Sequence, residues 1–349
     1  MKKIFIILVL SITLFSCKKN VNNPTTPSLS GIYIAGNENN IPKYWNNSVG
    51  KQLPLSPNMT FGLAKAIAIG NGNVYLAGEE GNNTISQKAV YWRNDTAYSL
   101  HSSGSLASSA YCIAIAGNDV YVGGDETAAG NTTGSTAKIW KNGIGISLTD
   151  GLKVASVQAI TLAGADVYAA GYENVGSTIS GRRPKYWKNG VAVSIGNNNE
   201  GWLNGIVVSG SDVYVTGYEV NASGVAVAKF WKNGVENILS SGPLNNYGLC
   251  LLVSGSDVYV GGYERPQNIF YKAKYWKNNA AGENILQATG SQDAIVSAGF
   301  INGTDVYFAG VVNTPTNVLY KARIWKNGVA TDITDGTKLV EIGAIFVVQ

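Results

Sequence analysis

The chain has 349 residues, with 26 Lys plus Arg against 22 Asp plus Glu and a formal net charge of +4. Without Lys2 and Lys3 the charge falls to +2, too little for an electrostatic grip on nucleic acid, so no nucleic-acid partner is expected. Charged residues are only 14%, while Gly (42), Tyr (19) and Trp (8) are plentiful, the profile of many short strands joined by Gly/Asn turns. Length alone would allow two domains, but closed repeat arrays exceed the usual domain size. Outside the N-terminus no long stretch carries a 3.6-residue apolar period.

The first elements lie at the N-terminus. Lys2 and Lys3 form a basic region, and Ile4 to Phe15 an apolar one. That apolar run is short of the roughly 20 residues a spanning helix needs. It ends in Leu14-Phe15-Ser16-Cys17, which resembles a bacterial lipobox. The resemblance implies a signal peptide over 1–16 and lipidation of Cys17. Lys18 next to it resembles lipoproteins sorted to the outer membrane of the bacterial cell envelope. Several acyl chains anchor firmly where one binds marginally, so the membrane is an expected partner. Residues Lys18 to Ser30 are polar, with Pro24 and Pro27. Together with the lipidated Cys17 they read as a flexible tether over 17–30.

From Gly31 one phrase repeats seven times over 31–349. Its clearest copy is Asp212-Val213-Tyr214-Val215-Thr216-Gly217-Tyr218-Glu219, followed by a variable loop and Lys229-Phe230-Trp231-Lys232-Asn233-Gly234. The anchors are Tyr33, Tyr75, Tyr121, Tyr168, Tyr214, Tyr259 and Tyr307. Each is answered downstream by Trp45, Trp92, Trp140, Trp187, Trp231, Trp276 or Trp325. The anchors span 274 residues in six steps, or about 46 per step, the period of four-stranded propeller blades. In the fifth unit the strands read as A (Leu203–Val208), B (Val213–Thr216), C (Ala228–Lys232) and D (Val235–Leu239).

The turns agree. Gly-Ser-Asp or a cousin joins A to B, as at Gly117-Asn118-Asp119, Gly210-Ser211-Asp212 and Gly303-Thr304-Asp305. Asn-Gly joins C to D at Asn142, Asn189, Asn233 and Asn327, because a type I′ turn needs positive φ at both positions. The other units read as Asn46-Asn47, Asn94-Asp95 and Asn278-Asn279. The first unit lacks strand A, and the chain finishes on Ile342–Val348, which resembles a strand A without its B. The expected fold class is therefore all-β: a seven-bladed β-propeller whose last strand completes the first blade and leaves no open edge.

The repeated Tyr and Trp read as packing between blades. Glu38, Glu80, Glu126, Glu173, Glu219 and Glu264 end strand B. A base stands two before the Trp at Lys43, Lys138, Lys185, Lys229, Lys274 and Arg323. These read as cross-strand ion pairs, with Val90 and Val312 breaking the pattern. On these motifs residues 31–349 resemble β-propellers built of D-V-Y-x-x-G-Y-E…K-Y-W-K-N-G repeats in bacterial lipoproteins, a family of no settled activity. They are distantly similar to kelch repeats at Gly123-Gly124 and Gly261-Gly262, but not at Ala170-Gly171, Thr216-Gly217 or Ala309-Gly310.

No catalytic, metal or cofactor motif emerges. Cys112 and Cys250 each lie nine residues before their Tyr. Three blades apart, they cannot approach to the roughly 4.4–6.8 Å of a disulfide, so they read as small buried strand residues. His101 is the single histidine, and no phosphate-binding or calcium loop is present. Surface geometry remains. The A–B and C–D turns are short and share one face; the B–C and D–A loops are long, vary and share the other, where binding resides. Trp202, outside the repeat, and Tyr247 fall on equal offsets in adjacent units, with the pair Arg182 and Arg183 nearby. These four are the candidate ligand-binding residues, for a glycan or a protein; the alternative has Trp202 and Tyr247 plugging the channel. A polysaccharide-acting enzyme would start from Glu200 and Asp293, and a ligand-free spacer is the third reading.

Overall fold

The computed structural model describes residues 29–83, 87–131, 133–176, 181–266, 270–286, 293–314 and 317–349. Cys17, the signal segment and most of the tether lie outside the described residues.

Seven four-stranded antiparallel sheets form the chain, each in the order A-B-C-D. The fold is a seven-bladed β-propeller. In blade 5 strand A is Gly201–Ser209, B is Asp212–Val220, C is Ala226–Lys232 and D is Val235–Ile238. Blade 1 takes its strand A from the chain end: Val340–Val348 pairs with Gly31–Glu38, Ile34 opposite Ile345. Each inner strand packs on the next, and the Val340–Val348 strand closes the ring between those of blades 7 and 2. Helix is confined to a single 3-10 turn, Ala280–Gly282, among the described residues.

The repeated aromatics do what their spacing predicts. Each phrase Trp packs beside the Tyr of the preceding blade: Trp231 with Tyr168, Trp140 with Tyr75, and across the closure Trp45 with Tyr307. Trp92, Trp231, Trp276 and Trp325 are fully buried. The cross-strand ion pairs are present at Lys43–Glu38, Lys138–Glu126, Lys185–Glu173, Lys229–Glu219 and Lys274–Glu264. Where the pattern breaks, Glu80 accepts the Ser56 amide and Arg323 pairs with Asp332 instead.

The Asn-Gly turns have φ near +50° at Asn142, Asn189, Asn233 and Asn327, followed by Gly above +80°. In blade 1 the turn falls one residue later than expected, at Asn47-Ser48 (φ 46° and 72°), because Asn46 stays paired with Tyr33 and Val49. In blades 2 and 6 only Asn94 and Asn278 take positive φ, not their neighbours Asp95 and Asn279. The turn Asn also ties this face together. Asn233 Nδ2 donates to Asp212 Oδ1 at 2.7 Å, and the Val213 amide donates back to Asn233 Oδ1 at 2.8 Å. Lys232 pairs with Asp212 at 2.7 Å and holds its carboxyl below the usual range. The same Asp–Lys–Asn group recurs in blades 3, 4, 6 and 7.

Strand A carries a one-residue bulge in every blade, at Lys65, Tyr111, Gln158, Asn204, Leu249, Ser297 and Gly343. Opposite each bulge stands the Gly of V-Y-x-x-G. A Cβ on Gly217 would fall on the carbonyl oxygen of Trp202, and Gly78, Gly124, Gly171, Gly262 and Gly310 face the equivalent carbonyl. The repeated Gly is thus a steric requirement of the bulge. The residue before it is coupled differently. It pairs across to strand A as Ala66–Ala77, Cys112–Gly123, Ala159–Ala170, Gly205–Thr216, Cys250–Gly261 and Ala298–Ala309. Three of these pairs join two alanines; where one partner is larger, Cys or Thr, the other is Gly, so the Gly-Gly pairs occur where a Cys needs room. Both cysteines are buried and free, with burial pushing their thiols up and leaving them inert. Size coupling makes a prediction. Gly123→Ala puts a Cβ 2.6 Å from both Cys112 Sγ and Val157 Cγ1 and is expected to destabilise by about 1–3 kcal/mol in chemical denaturation. Cys112→Ala added to it recreates the Ala159–Ala170 pair and relieves one of the two contacts, so it recovers part of the lost stability; a double variant no better than the single one removes the coupling.

Candidate binding site on the variable face

The bulges line the central channel, a cavity of about 260 Å³ walled by these residues and their neighbours. One step toward the variable face lies a second ring of seven cross-strand pairs. They are Leu63–Glu79, Ser109–Asp125, Ser156–Tyr172, Trp202–Tyr218, Tyr247–Tyr263, Ile295–Val311 and Glu341–Asn37. Their backbone geometry is common, but their chemistry splits the ring into sectors.

Blades 4 to 6 carry an aromatic arc. Tyr172 stacks on Trp202 (centroids 5.6 Å apart, planes at 25°), and Trp202 meets Tyr218 edge-on at 5.5 Å. Tyr218 meets Tyr247 edge-on at 4.8 Å, Tyr247 stacks on Tyr263 at 4.9 Å, and Tyr263 reaches Tyr271 at 5.4 Å. Six rings run without a break, in offset and edge geometries that aromatic pairs prefer. Arg182 caps one end, its guanidinium 4.5 Å from the Trp202 ring and 5.1 Å from Tyr172. Arg265 lies over Tyr271 at 5.6 Å at the other. Asp293 fixes that end, accepting from the Tyr271 amide at 2.8 Å and from the Tyr320 hydroxyl at 3.2 Å. Burial pushes Tyr218 and Tyr263 up to about 12, so both stay neutral hydroxyl donors. Trp202 Nε1 and Arg182 Nε are buried with no hydrogen-bond partner among the described residues, an arrangement that costs about 1–3 kcal/mol per group.

Blades 2 and 3 carry a polar sector. Lys65 pairs with Glu79 at 2.7 Å and lies 4.3 Å over the Tyr111 ring. Burial raises the Asp125 carboxyl to about 6, with Glu79 adding to the shift, while hydrogen bonds from Ser156 and Tyr111 and the charge of Lys65 oppose it. A cavity of about 630 Å³ opens between blades 3 and 4, with Asp125, Tyr111 and Tyr172 in its wall. Nearby, His101 Nδ1 lies 2.8 Å from Ser108 Oγ. Ser108 is 1% exposed and its hydroxyl accepts the Ala89 amide, so the pair is a strut and not a nucleophile with its base.

Of the four sequence candidates, Trp202, Tyr247 and Arg182 come together and Arg183 does not. Arg183 turns aside to Asn198 Oδ1 at 3.3 Å and to the Arg182 carbonyl at 3.2 Å. Trp202 and Tyr247 are not loop residues: each sits in strand A, paired with Tyr218 and Tyr263. Arg182 and Arg183 likewise begin strand C of blade 4. The bulge explains Trp202 and Tyr247, since it absorbs the extra residue and lets pairing continue toward the variable face; Arg182 and Arg183 extend the unbroken B–C pairing, opposite Asn174 and Glu173. Neither Trp202 nor Tyr247 lines the channel cavity at the level of the bulges. Glu200 is exposed and Asp293 is occupied by the two tyrosines. Tyr172, Tyr218, Tyr263, Tyr271, Asp125 and Tyr111 were not singled out by the sequence. Among the described residues no group of three His, Cys, Asp or Glu is placed to hold a metal.

No family model matches the chain, and no curated protein matches it. Solved structures do. A puromycin-hydrolyzing peptidase of Mycobacterium tuberculosis aligns over 84% of this chain at 11% identity, with a TM-score of 0.57. This chain spans about half of that one, 49% of its length. The likeness is one of fold alone. A nidogen/laminin complex aligns over 72% of this chain and 92% of its own, at 10% identity and a TM-score of 0.44, and carries no argument.

Proposed function

We propose that the protein is a membrane-tethered binding module that lays a glycan across the aromatic arc. The arc itself carries the reading. At the same seven positions other blades hold Leu63, Ser109, Ile295 and Val311, so the propeller frame needs no aromatic there. Five of the six rings, Tyr172, Trp202, Tyr218, Tyr247 and Tyr263, stand at those positions and are therefore surplus to packing. A sugar presents C–H faces to rings and hydroxyls to their polar edges, and half-buried Tyr and Trp offer both. The tether rests on the basic and apolar opening, Cys17 and the polar stretch after it.

Soluble protein lacking residues 1–30, screened on a glycan array and by pull-down, is the test. Trp202→Ala and Tyr247→Ala are each expected to weaken a captured glycan about tenfold or more. A glycan that binds both variants as it binds the parent overturns the reading, and a protein captured in place of a glycan redirects it.

A further inference from the structure

We propose that the cavity between blades 3 and 4 is an end subsite, which takes the terminal, uncharged sugar of the glycan lying on the arc. The inference rests on the reading of the arc just given and deepens it. Tyr172 joins the two sites: it is in the cavity wall, and it is the first ring of the arc, stacked on Trp202. A chain following the rings from Tyr271 toward Tyr172 is delivered to the cavity.

The wall defines what fits. Ser109, Thr127 and Asn131 contribute hydroxyl and amide groups, Tyr111 and Tyr172 phenols, and Asp125 one carboxyl; among the described residues no Lys or Arg lines it. An acidic sugar or a sulfate would meet the Asp125 carboxyl there, and the cations nearby are already engaged, Lys65 by Glu79 and Arg182 by the Tyr172 and Trp202 rings. A neutral sugar meets alternating donors and acceptors and an apolar side from Leu106, which is 55% exposed. The cavity's walls belong to blades 2, 3 and 4, and no aromatic arc continues beyond it, since blades 2 and 3 hold Leu63 and Ser109 at the ring positions. A chain that enters the cavity therefore stops there, and recognition is of a chain end.

The full chain in mild detergent is tested on immobilised neutral hexasaccharides of glucose, xylose, mannose, galactose and N-acetylglucosamine, with a hexauronate beside them. The hexasaccharide that the parent captures is expected to bind Asp125→Leu and Thr133→Trp about tenfold or more weakly. Asp125→Asn, which keeps the hydrogen-bonding shape, stays within about threefold. Thr133 is exposed at the cavity rim, so its indole blocks the cavity without entering the core. A cyclic oligosaccharide of the same sugar has no end, and is expected to bind the parent about tenfold more weakly than the linear one. Equal binding of linear and cyclic forms overturns the proposal. So does parental affinity in both Asp125→Leu and Thr133→Trp when Trp202→Ala has lost the ligand, an outcome that leaves the arc standing. If no sugar is captured, or Trp202→Ala also binds as the parent, arc and subsite fall together.

Discussion

Removing Val340–Gln349 is expected to abolish the folded monomer. Those residues supply the inner strand of blade 1, and Val340, Ile342, Ile345 and Val347 are all buried. Burying four such side chains is worth about 1.5–3 kcal/mol each. The sum rivals the roughly 5–15 kcal/mol that holds a typical protein folded. Truncation also uncovers the edge of Gly31–Glu38 and the flanks of blades 7 and 2, leaving unpaired backbone groups that template association. Size-exclusion chromatography should show aggregate in place of monomer. A truncated chain that runs as a monomer and unfolds cooperatively at the parental temperature would mean that the ring does not depend on its closing strand.

Gly217→Ala is expected to cost about 3 kcal/mol or more, the upper range for overpacking a close-fitted site. Its Cβ would land on the Trp202 carbonyl oxygen, a backbone atom that cannot swing aside. The clash sits beneath the arc, so relief by moving strand A shifts Trp202 and Tyr218 with it. Two readouts should therefore fall together: the thermal midpoint, and the intrinsic Trp fluorescence change on binding. Gly176→Ala is the control, since no described residue lies within 4 Å of its Cβ position, and it should change the midpoint little. If Gly217→Ala is as mild as Gly176→Ala, the bulge does not require glycine opposite it.

The propeller was legible because its signals are periodic and redundant. Seven Tyr–Trp phrases, Asn-Gly turns and complementary ends all point to one ring, and the structure has it. The site was legible only where a residue broke the period. Trp202 stands outside the phrase, and it anchors the arc. Tyr172, Tyr218 and Tyr263 were hidden because they stand inside the phrase, in Gly-Tyr-Glu, and so read as packing. Asp125 occupies that same slot in blade 3, and its departure from Tyr was the available signal. The bulge concealed the rest. An extra residue in strand A breaks the two-residue alternation, so counting from strand B cannot give the partner or facing of strand A. The same shift carried Trp202 and Tyr247 out of the loops in which spacing had put them.

The ring of cross-strand pairs above the bulges has a consequence for how such a protein diversifies. Because Leu, Ser, Trp, Tyr, Ile and Glu all occupy strand A there on one backbone, each blade behaves as a socket that accepts any plug. Rewriting those seven sockets changes what the molecule grips while the wheel beneath keeps turning out the same shape.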